Sequence, residues 1–498
     1  MLAVSVLGSG MAFLDGTVVN VALPDIGRDL NASTSSLQWI LNGYLLTLAA
    51  LILLGGSLGD LYGRRRIFVL GTGLFTAASL LCALAPNVTL LVAARLLQGI
   101  GGALLTPGSL AMIESSFRPG DRARAIGAWS GLGGVATALG PLLGGYLVGA
   151  VSWRAIFLIN LPLGVVVMTM ASRHVPETRD PTASGRLDFI GAALAALGLA
   201  GSTYALIEAP GSGMSGLVSL AAVGGVVALA LFLLHERRAA NPMMPLDMFR
   251  SRQFSAANLV TFVVYAALSG FFFLFVAFLQ ISLGYSPIAS GAASLPVTVL
   301  MLLLSARSGA LAQRIGARIP LTVGPLVIAA GLLMTTRIDP GDSYLSSVLP
   351  AVVVFGLGLT LVVAPVTATV LAAADMRHSG IASGINNAVS RVGGLLAVAV
   401  LPLVGGLTGN SFYNPATMTD GFRKAMVACA ALAALGGILA WLTISSDVLE
   451  PEPAAGAEAP SPPPEYSCPI AGTQLAPGPA SEPDAAGVDE GREAVVGT

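Results

Sequence analysis

Fourteen runs of mostly apolar residues, set apart by charged or Gly/Pro-rich punctuation, decide what this chain can fold into. They lie at roughly 2–24, 37–58, 68–86, 88–113, 125–149, 155–172, 187–208, 215–234, 254–282, 288–311, 319–336, 347–371, 381–405 and 424–444. Each is about as long as a helix that crosses a bilayer. In hydrocarbon every backbone amide and carbonyl must be paired within the segment, so the runs read as helices. Only 10% of the 498 residues are charged and 55% are hydrophobic, against about 25% charged in a soluble domain. Too few charges remain to cover a water-facing surface. The first run holds Asp15 and has no basic leader, so it is expected to be a retained helix rather than a cleaved signal peptide.

Several functions are excluded at this level. With 25 basic and 26 acidic residues the net charge is -1, which leaves no electrostatic footprint for nucleic acid. Lys424 follows Arg423 rather than the glycine of a phosphate-binding loop, so no nucleotide-driven pump is expected. Cys82, Cys429 and Cys468 are isolated, and His174, His235 and His378 lack metal-ligand spacing. Neither an enzyme nor a metal or organic cofactor is expected.

Basic residues orient membrane helices, because arginines and lysines gather in short cytoplasmic loops. The loops after every second run carry Arg64, Arg65, Arg66, Arg118, Arg122, Arg124, Arg173, Arg179, Arg186, Arg237, Arg238, Arg250, Arg252, Arg314, Arg318 and Arg377. The opposite loops carry Arg28, Arg154, Arg337, Arg423 and Lys424. The asymmetry predicts both termini in the cytoplasm. Beyond about residue 446 the chain is rich in Pro, Ala, Gly and acids, which predicts a disordered acidic tail over 446–498 that also contains Arg492.

The chain also repeats itself. Gly56, Leu58 and Gly63 of "GGSLGDLYGRRR" align with Gly309, Leu311 and Gly316 of "GALAQRIGARIP", Arg66 meets Ile319 with Arg318 beside it, and Pro107 pairs with Pro365 at a nearly equal offset. This predicts two six-helix lobes, 1–172 and 254–445, around a linker, 173–253, that holds two additional transmembrane helices. Such repeats build many secondary transporters, with the substrate site between halves.

"LDGTVVNVALP" (14–24), "GSLGDLYGRRR" (56–66), "RLLQGIGGALLTP" (95–107), "LGPLLGG" (139–145), "WRAIFLINLPLG" (153–164) and "LGYSPIASGAASLP" (283–296) occur in this order. With them the chain resembles the fourteen-helix drug:proton antiporter branch of the major facilitator superfamily. The second loop motif departs by carrying Gln313 where the first has Asp60. The resemblance implies the major facilitator fold and export of a small hydrophobic or amphipathic compound through the cell membrane. It would run on the proton gradient, by a multi-pass monomer that needs lipid but no cofactor. A proton-coupled or facilitative importer of a small metabolite, and a non-transporting receptor or scaffold, are the alternatives.

Asp15 sits near the middle of the first run, where an ionised carboxylate facing lipid costs about 2.5–3.5 kcal/mol, so it faces the bundle interior. Burial away from cations favours a protonated carboxyl, while water or an arginine favours the ionised one. A site that alternates between these surroundings carries protons. Arg95 and Gln98 share a helix face, and the resemblance makes Asp15 the proton acceptor and Arg95 its electrostatic competitor. Arg307 and Arg391 are expected to snorkel to a helix end.

Gly127, Gly131, Gly134, Ala138, Pro141 and Gly145 form one small-residue stripe that admits a neighbouring backbone, and Gly140–Pro141 is expected to bend the helix. The resemblance makes Gly140, Pro141, Gly144 and Gly145 an antiporter signature. Gly59 and Gly63 are expected to take unusual backbone angles, with Asp60 capping a helix or pairing with an arginine. The resemblance implies a conformational latch of Asp60, Gly63 and Arg64. Polar and aromatic candidates for the substrate cavity are Gln38, Trp39, Asn42, Tyr44, Gln98, Asn258, Tyr265, Gln280, Asn386 and Asn387. Of Phe271, Phe272, Phe273 and Phe275, at least half are expected to face lipid, and Glu208 is expected to be a solvated loop acid.

Overall fold

The computed structural model describes residues 1–117, 119–179, 187–374 and 379–449. Arg118, Arg186, Arg377, His378 and everything from Glu450 on, including Cys468 and Arg492, lie outside the described residues, as do the side-chain positions of Arg122, Arg124, Gly127, Gly131 and Ala138. Among the described residues, fourteen helices are long and apolar enough to cross a membrane. They are α1 (Leu2–Leu30), α2 (Thr34–Tyr62), α3 (Arg64–Leu84), α4 (Val88–Ser116), α5 (Pro119–Ala150), α6 (Ala155–His174), α7 (Phe189–Ser212), α8 (Gly216–Glu236), α9 (Arg252–Ile281), α10 (Pro287–Ile315), α11 (Arg318–Thr335), α12 (Tyr344–Ala372), α13 (Ser379–Val404) and α14 (Pro415–Thr443). The described residues contain no strand.

Polar residues between the apolar runs start these helices. Ser33, Asn87, Asp188, Ser215, Ser251, Ser286 and Asn414 each accept a hydrogen bond from an amide of the following first turn. Those amides have no partner inside the helix, so the caps supply one. α1 runs on to Leu30, past the boundary expected at Pro24, because a proline inside a helix forfeits one amide bond without forcing an end here. Asn31 ends it instead in the left-handed conformation (φ 51°), which lets Ala32 N–H reach the Gly27 carbonyl at 2.9 Å. α6 is interrupted at Ile159, and α10 between Ala292 and Leu295.

In the first half α2 and α3 pack on α4, α1 packs on α5, and α6 lies on α3. In the second half α11 packs on α12 and α14, α10 on α12, and α9 on α13 and α14. Glycine sets the spacing. A side chain at Gly71 would meet the Gly101 and Leu104–Leu105 region of α4, and one at Gly101 would stand 2.5 Å from the Phe75 amide. The second half copies both contacts: Gly324 against Gly358 and Val362, and Gly358 at 2.5 Å from the Ile328 amide. Gly63 (φ 116°) and Gly316 (φ 82°) turn the two matching loops, whereas Gly59 is an ordinary helical residue, contrary to expectation, because Gly63 alone makes the turn.

α7 and α8 pack on each other, and α7 rests on α2 and α13. Asp188 ties the pair: its carboxylate accepts from the Gly191 amide at 2.8 Å and lies 2.7 Å from His235 at the end of α8. Burial pushes this carboxyl up, but the Gly191 amide and the His235 imidazole outweigh it and hold it below the ordinary carboxylate range.

The phenylalanines of α9 depart from expectation. Phe271, Phe273 and Phe275 are buried and only Phe272 is partly exposed. α9 is flanked by α1, α12, α13 and α14, so protein covers most of its surface and leaves Leu259 exposed. Phe271 packs on Phe355 of α12 with ring centroids 4.2 Å apart, and Phe278 stacks on Phe422 of α14 at 4.1 Å. Ser446–Leu449, within the segment expected to be disordered, form a 3-10 turn.

Hydrogen bonds between the first six and last six helices gather where α1 ends. Thr34 donates its amide and hydroxyl to the Gly409 carbonyl, each at 2.9 Å, and Tyr413 donates to the Ala32 carbonyl at 2.6 Å. Burial pushes the Tyr413 phenol up to about 12, so it stays a donor at any physiological pH. Gln38 donates to the Val398 and Ala399 carbonyls at 2.7 and 2.9 Å, and Gln280 to the Val21 carbonyl at 2.9 Å. Gly101→Val should lower the thermal midpoint of the purified protein in detergent by the equivalent of about 1–3 kcal/mol of overpacking. Gly134→Ala, into space with no atom within 4 Å, should leave it unchanged.

Candidate functional site

Four helices bring polar side chains to one point inside the first half. α1 supplies Asp15 (0% exposed), α4 supplies Arg95 (1%) and Gln98 (0%), α3 supplies Ser79, and α6 supplies Asn160 at its interruption. Arg95 Nη1 donates to Asp15 Oδ2 at 2.5 Å and to Gln98 Oε1 at 2.6 Å, and Arg95 Nε donates to the Ile40 carbonyl of α2 at 3.1 Å. Gln98 Nε2 donates to Asp15 Oδ1 at 2.8 Å and to Ser79 Oγ at 2.9 Å, while Asn160 Nδ2 reaches Ser79 Oγ at 3.2 Å and Asp15 Oδ1 at 3.4 Å. The guanidinium lies 4.4 Å from the centre of the Tyr44 ring, and the Phe157 ring lies beyond at 5.8 Å.

Taking two ions out of water costs several kcal/mol each, and attraction repays this only with good geometry and further hydrogen bonds. Here both carboxylate oxygens receive donors, and an aromatic face covers the cation. The arrangement holds a charge pair inside a membrane domain.

The structure brings Asp15, Arg95 and Gln98 together. Ser79 and Asn160 were missed. Asn160 sits inside the "WRAIFLINLPLG" motif, but nothing in the spacing shows that the helix breaks beside it. That motif's Trp153 and Arg154 donate to Asp29 at the end of α1, at 2.9 and 2.7 Å.

The loop residues lie apart from this cluster. Asp60 pairs with Arg64 at 2.8 Å, and Arg64 also reaches the Ala111 carbonyl of α4 at 3.3 Å. Glu177, another residue missed, accepts from the Arg65 amide at 3.1 Å, and its carboxylate lies where a side chain on Gly63 would be, 2.6 Å away. In α5 the small residues face two neighbours: Gly140 and Gly144 admit Leu14, Thr17 and Val18 of α1, while Pro141 and Gly145 of the stripe meet Gly291 and Pro287 of α10. α5 continues as helix through Pro141. Proline leaves the Thr137 carbonyl without its amide partner, and Thr17 Oγ1 lies 3.1 Å from it.

The ten cavity candidates do not gather in one place. Tyr44 and Gln98 belong to the charge cluster, and Gln38 and Gln280 are cross-half hydrogen-bond donors. Asn386 donates to Asn258 Oδ1 at 3.2 Å and to Thr261 at 2.9 Å, between α13 and α9. Asn387 accepts from Arg391 at 3.3 Å, Tyr265 is partly buried on α9, and Asn42 is fully buried with neither amide atom paired. Trp39 donates to Glu208 at 2.9 Å, so Glu208 is not the solvated loop acid expected: α7 continues through it and lays it against α2. Arg391 also departs from expectation, since it stands midway along α13, about three turns from either end. Arg307 is exposed on α10.

The major facilitator superfamily model matches residues 5–398. The methylenomycin A resistance protein of Bacillus subtilis is 36% identical over 450 residues, covering 90% of this chain and 94% of that protein. The tetracenomycin C resistance and export protein of Streptomyces glaucescens is 38% identical over 403 residues, 80% of this chain and 74% of that protein. Among solved structures, a bacterial homologue of the human lysosomal transporter Spinster, inward-facing and unoccupied, superposes with a TM-score of 0.65 at 18% identity over 90% of this chain and 96% of that one. The fourteen apolar helices, the repeated glycine packing of the two halves and these similarities converge: the chain is a multi-pass membrane protein that belongs to the major facilitator superfamily.

Proposed function

We propose that this chain exports hydrophobic or amphipathic drugs or antibiotics across the cell membrane in exchange for protons. Two six-helix lobes, residues 1–172 and 254–445, alternate access around a site between them, and residues 173–253 add two helices beside the bundle. The observation that carries the reading is the buried Asp15–Arg95 pair with its complete set of donors. Resistance and export are the roles by which the two relatives above are named.

The work follows from the pair. A proton arriving at Asp15 neutralises the carboxylate and releases Arg95, and the five helices held together through them shift. One proton crossing 100 mV supplies about 2.3 kcal/mol, enough for a roughly fifty-fold gradient of a neutral substrate at 1.4 kcal/mol per decade. The arginine-rich loops favour both termini in the cytoplasm. On that orientation the hydrogen-bonded end of the bundle faces outward. The Asp60, Gly63 and Arg64 loop acts as the latch, braced by Glu177, and α5 is the seam along which α1 and α10 slide. The protein works as a monomer with no cofactor beyond the gradient.

Three variants test this. Asp15→Asn should reduce gradient-driven efflux to background, and by leaving Arg95 buried and unpaired it should cost about 3–5 kcal/mol of stability. The double variant Asp15→Asn/Arg95→Gln should regain thermal stability in detergent without regaining efflux; full-rate proton-coupled export by it refutes the assignment. Gln38→Leu removes two cross-half hydrogen bonds of about 0.5–1.5 kcal/mol each. Spin labels at Ser35 and Asn410 should then report about a tenfold larger open population.

A further inference from the structure

α2 and α13 run side by side in opposite directions across the middle of the bundle. At one end Gln38 bonds the Val398 and Ala399 carbonyls, and at the other Leu53 touches Gly384. Between them Leu46 and Ala49 pack with Leu395. Helical spacing puts Asn42 on the α2 stripe between Gln38 and Leu46, and Arg391 on the α13 stripe between Gly384 and Leu395. The two side chains therefore stand within about one turn of each other in depth, on facing surfaces of the two halves.

Both are unsatisfied. Asn42 is 0% exposed, and neither its Nδ2 nor its Oδ1 has a partner. Arg391 donates through Nε to Asn387, but among the described residues no acid pairs with it and nothing accepts from its Nη groups. Asp15 is committed to Arg95. A guanidinium at mid-membrane costs several kcal/mol unless something compensates it, and an unpaired amide adds to that cost. Three turns from either helix end, Arg391 cannot snorkel. What the pair lacks is an oxyanion: two guanidinium nitrogens match a planar anion in a two-pronged contact, and the amide offers one further donor.

We propose that Arg391 and Asn42 form an anion-recognition site between the halves, and that the exported compound is an amphipathic acid whose carboxylate, sulfonate or phenolate docks there. This rests on the export reading above, and it adds the charge of the substrate. Occupancy fastens α13 to α2 through the ligand, so loading a substrate acts on the same α2 whose Ile40 carbonyl holds Arg95. Lysine cannot replace Arg391 fully, because it presents a point charge in place of a planar fork.

The test compares two xanthene dyes of similar skeleton, anionic fluorescein and cationic rhodamine 6G, by fluorescence anisotropy on the purified full-length protein in lipid nanodiscs. The wild type should bind fluorescein at least tenfold more tightly than rhodamine 6G. Arg391→Gln should weaken fluorescein at least tenfold, Arg391→Lys by an intermediate factor and Asn42→Ala about threefold, with rhodamine 6G affinity unchanged. If Arg391→Gln does not fold, the Lys and Ala variants decide. Preference for the cation, unaltered fluorescein affinity in these variants, or no fluorescein binding to the wild type overturns the proposal. Gradient-driven dye efflux from proteoliposomes is measured in parallel. Anion-selective binding without efflux supports the site and refutes export, whereas efflux of rhodamine 6G alone, indifferent to Arg391, supports export and refutes the site.

Discussion

The ion pair between Asp15 and Arg95 is the contact around which the first half of this protein is organised. Neither group can stand alone at this depth, so each needs the other, and their remaining hydrogen-bonding capacity draws in three more helices. Ser79 fixes α3, Asn160 fixes the broken start of α6, and the Ile40 carbonyl ties α2 to the guanidinium. A single charge pair therefore sets how five helices sit against one another, and its loss or neutralisation is felt by all of them.

The second half shows what the same architecture looks like without that demand. Gly101 on Phe75 and Gly358 on Ile328 are equivalent contacts, and this register makes Phe355 of α12 the counterpart of Gln98 of α4. Where the first half has Asp15 meeting Gln98, the second has Phe271 packed against Phe355. Close glycine packing is common to both halves because it depends only on backbone approach. The fill differs: one half holds titratable chemistry and the other a rigid aromatic plug.

The bonds between halves are of a third kind. At the clasped end they are neutral hydrogen bonds from Thr34, Gln38, Gln280 and Tyr413 to backbone carbonyls, each worth about 0.5–1.5 kcal/mol. Broken together, these six bonds cost about 3–9 kcal/mol. α5, which touches α1 on one face and α10 on the other through small residues, offers a surface with little side-chain interlock to resist sliding.

The sequence alone determined the class of fold, since hydrocarbon leaves a chain of fourteen apolar runs no option but helices, and serine, asparagine and aspartate between the runs mark where those helices begin. It also determined the duplication, from Gly63 and Gly316, and the chemical identity of Asp15 and Arg95, because charge is rare enough in such a chain to stand out. It could not reveal Ser79, Asn160 or Glu177, which are ordinary polar residues until the fold carries them to a carboxylate or an arginine-rich turn. Nor could it separate Gln38 and Gln280, which join the halves, from Asn42, which is left unpaired, or show that the phenylalanines of α9 face protein. Apolarity and charge act residue by residue and can be read along the chain. Partnership depends on which helices become neighbours, and only tertiary packing decides that.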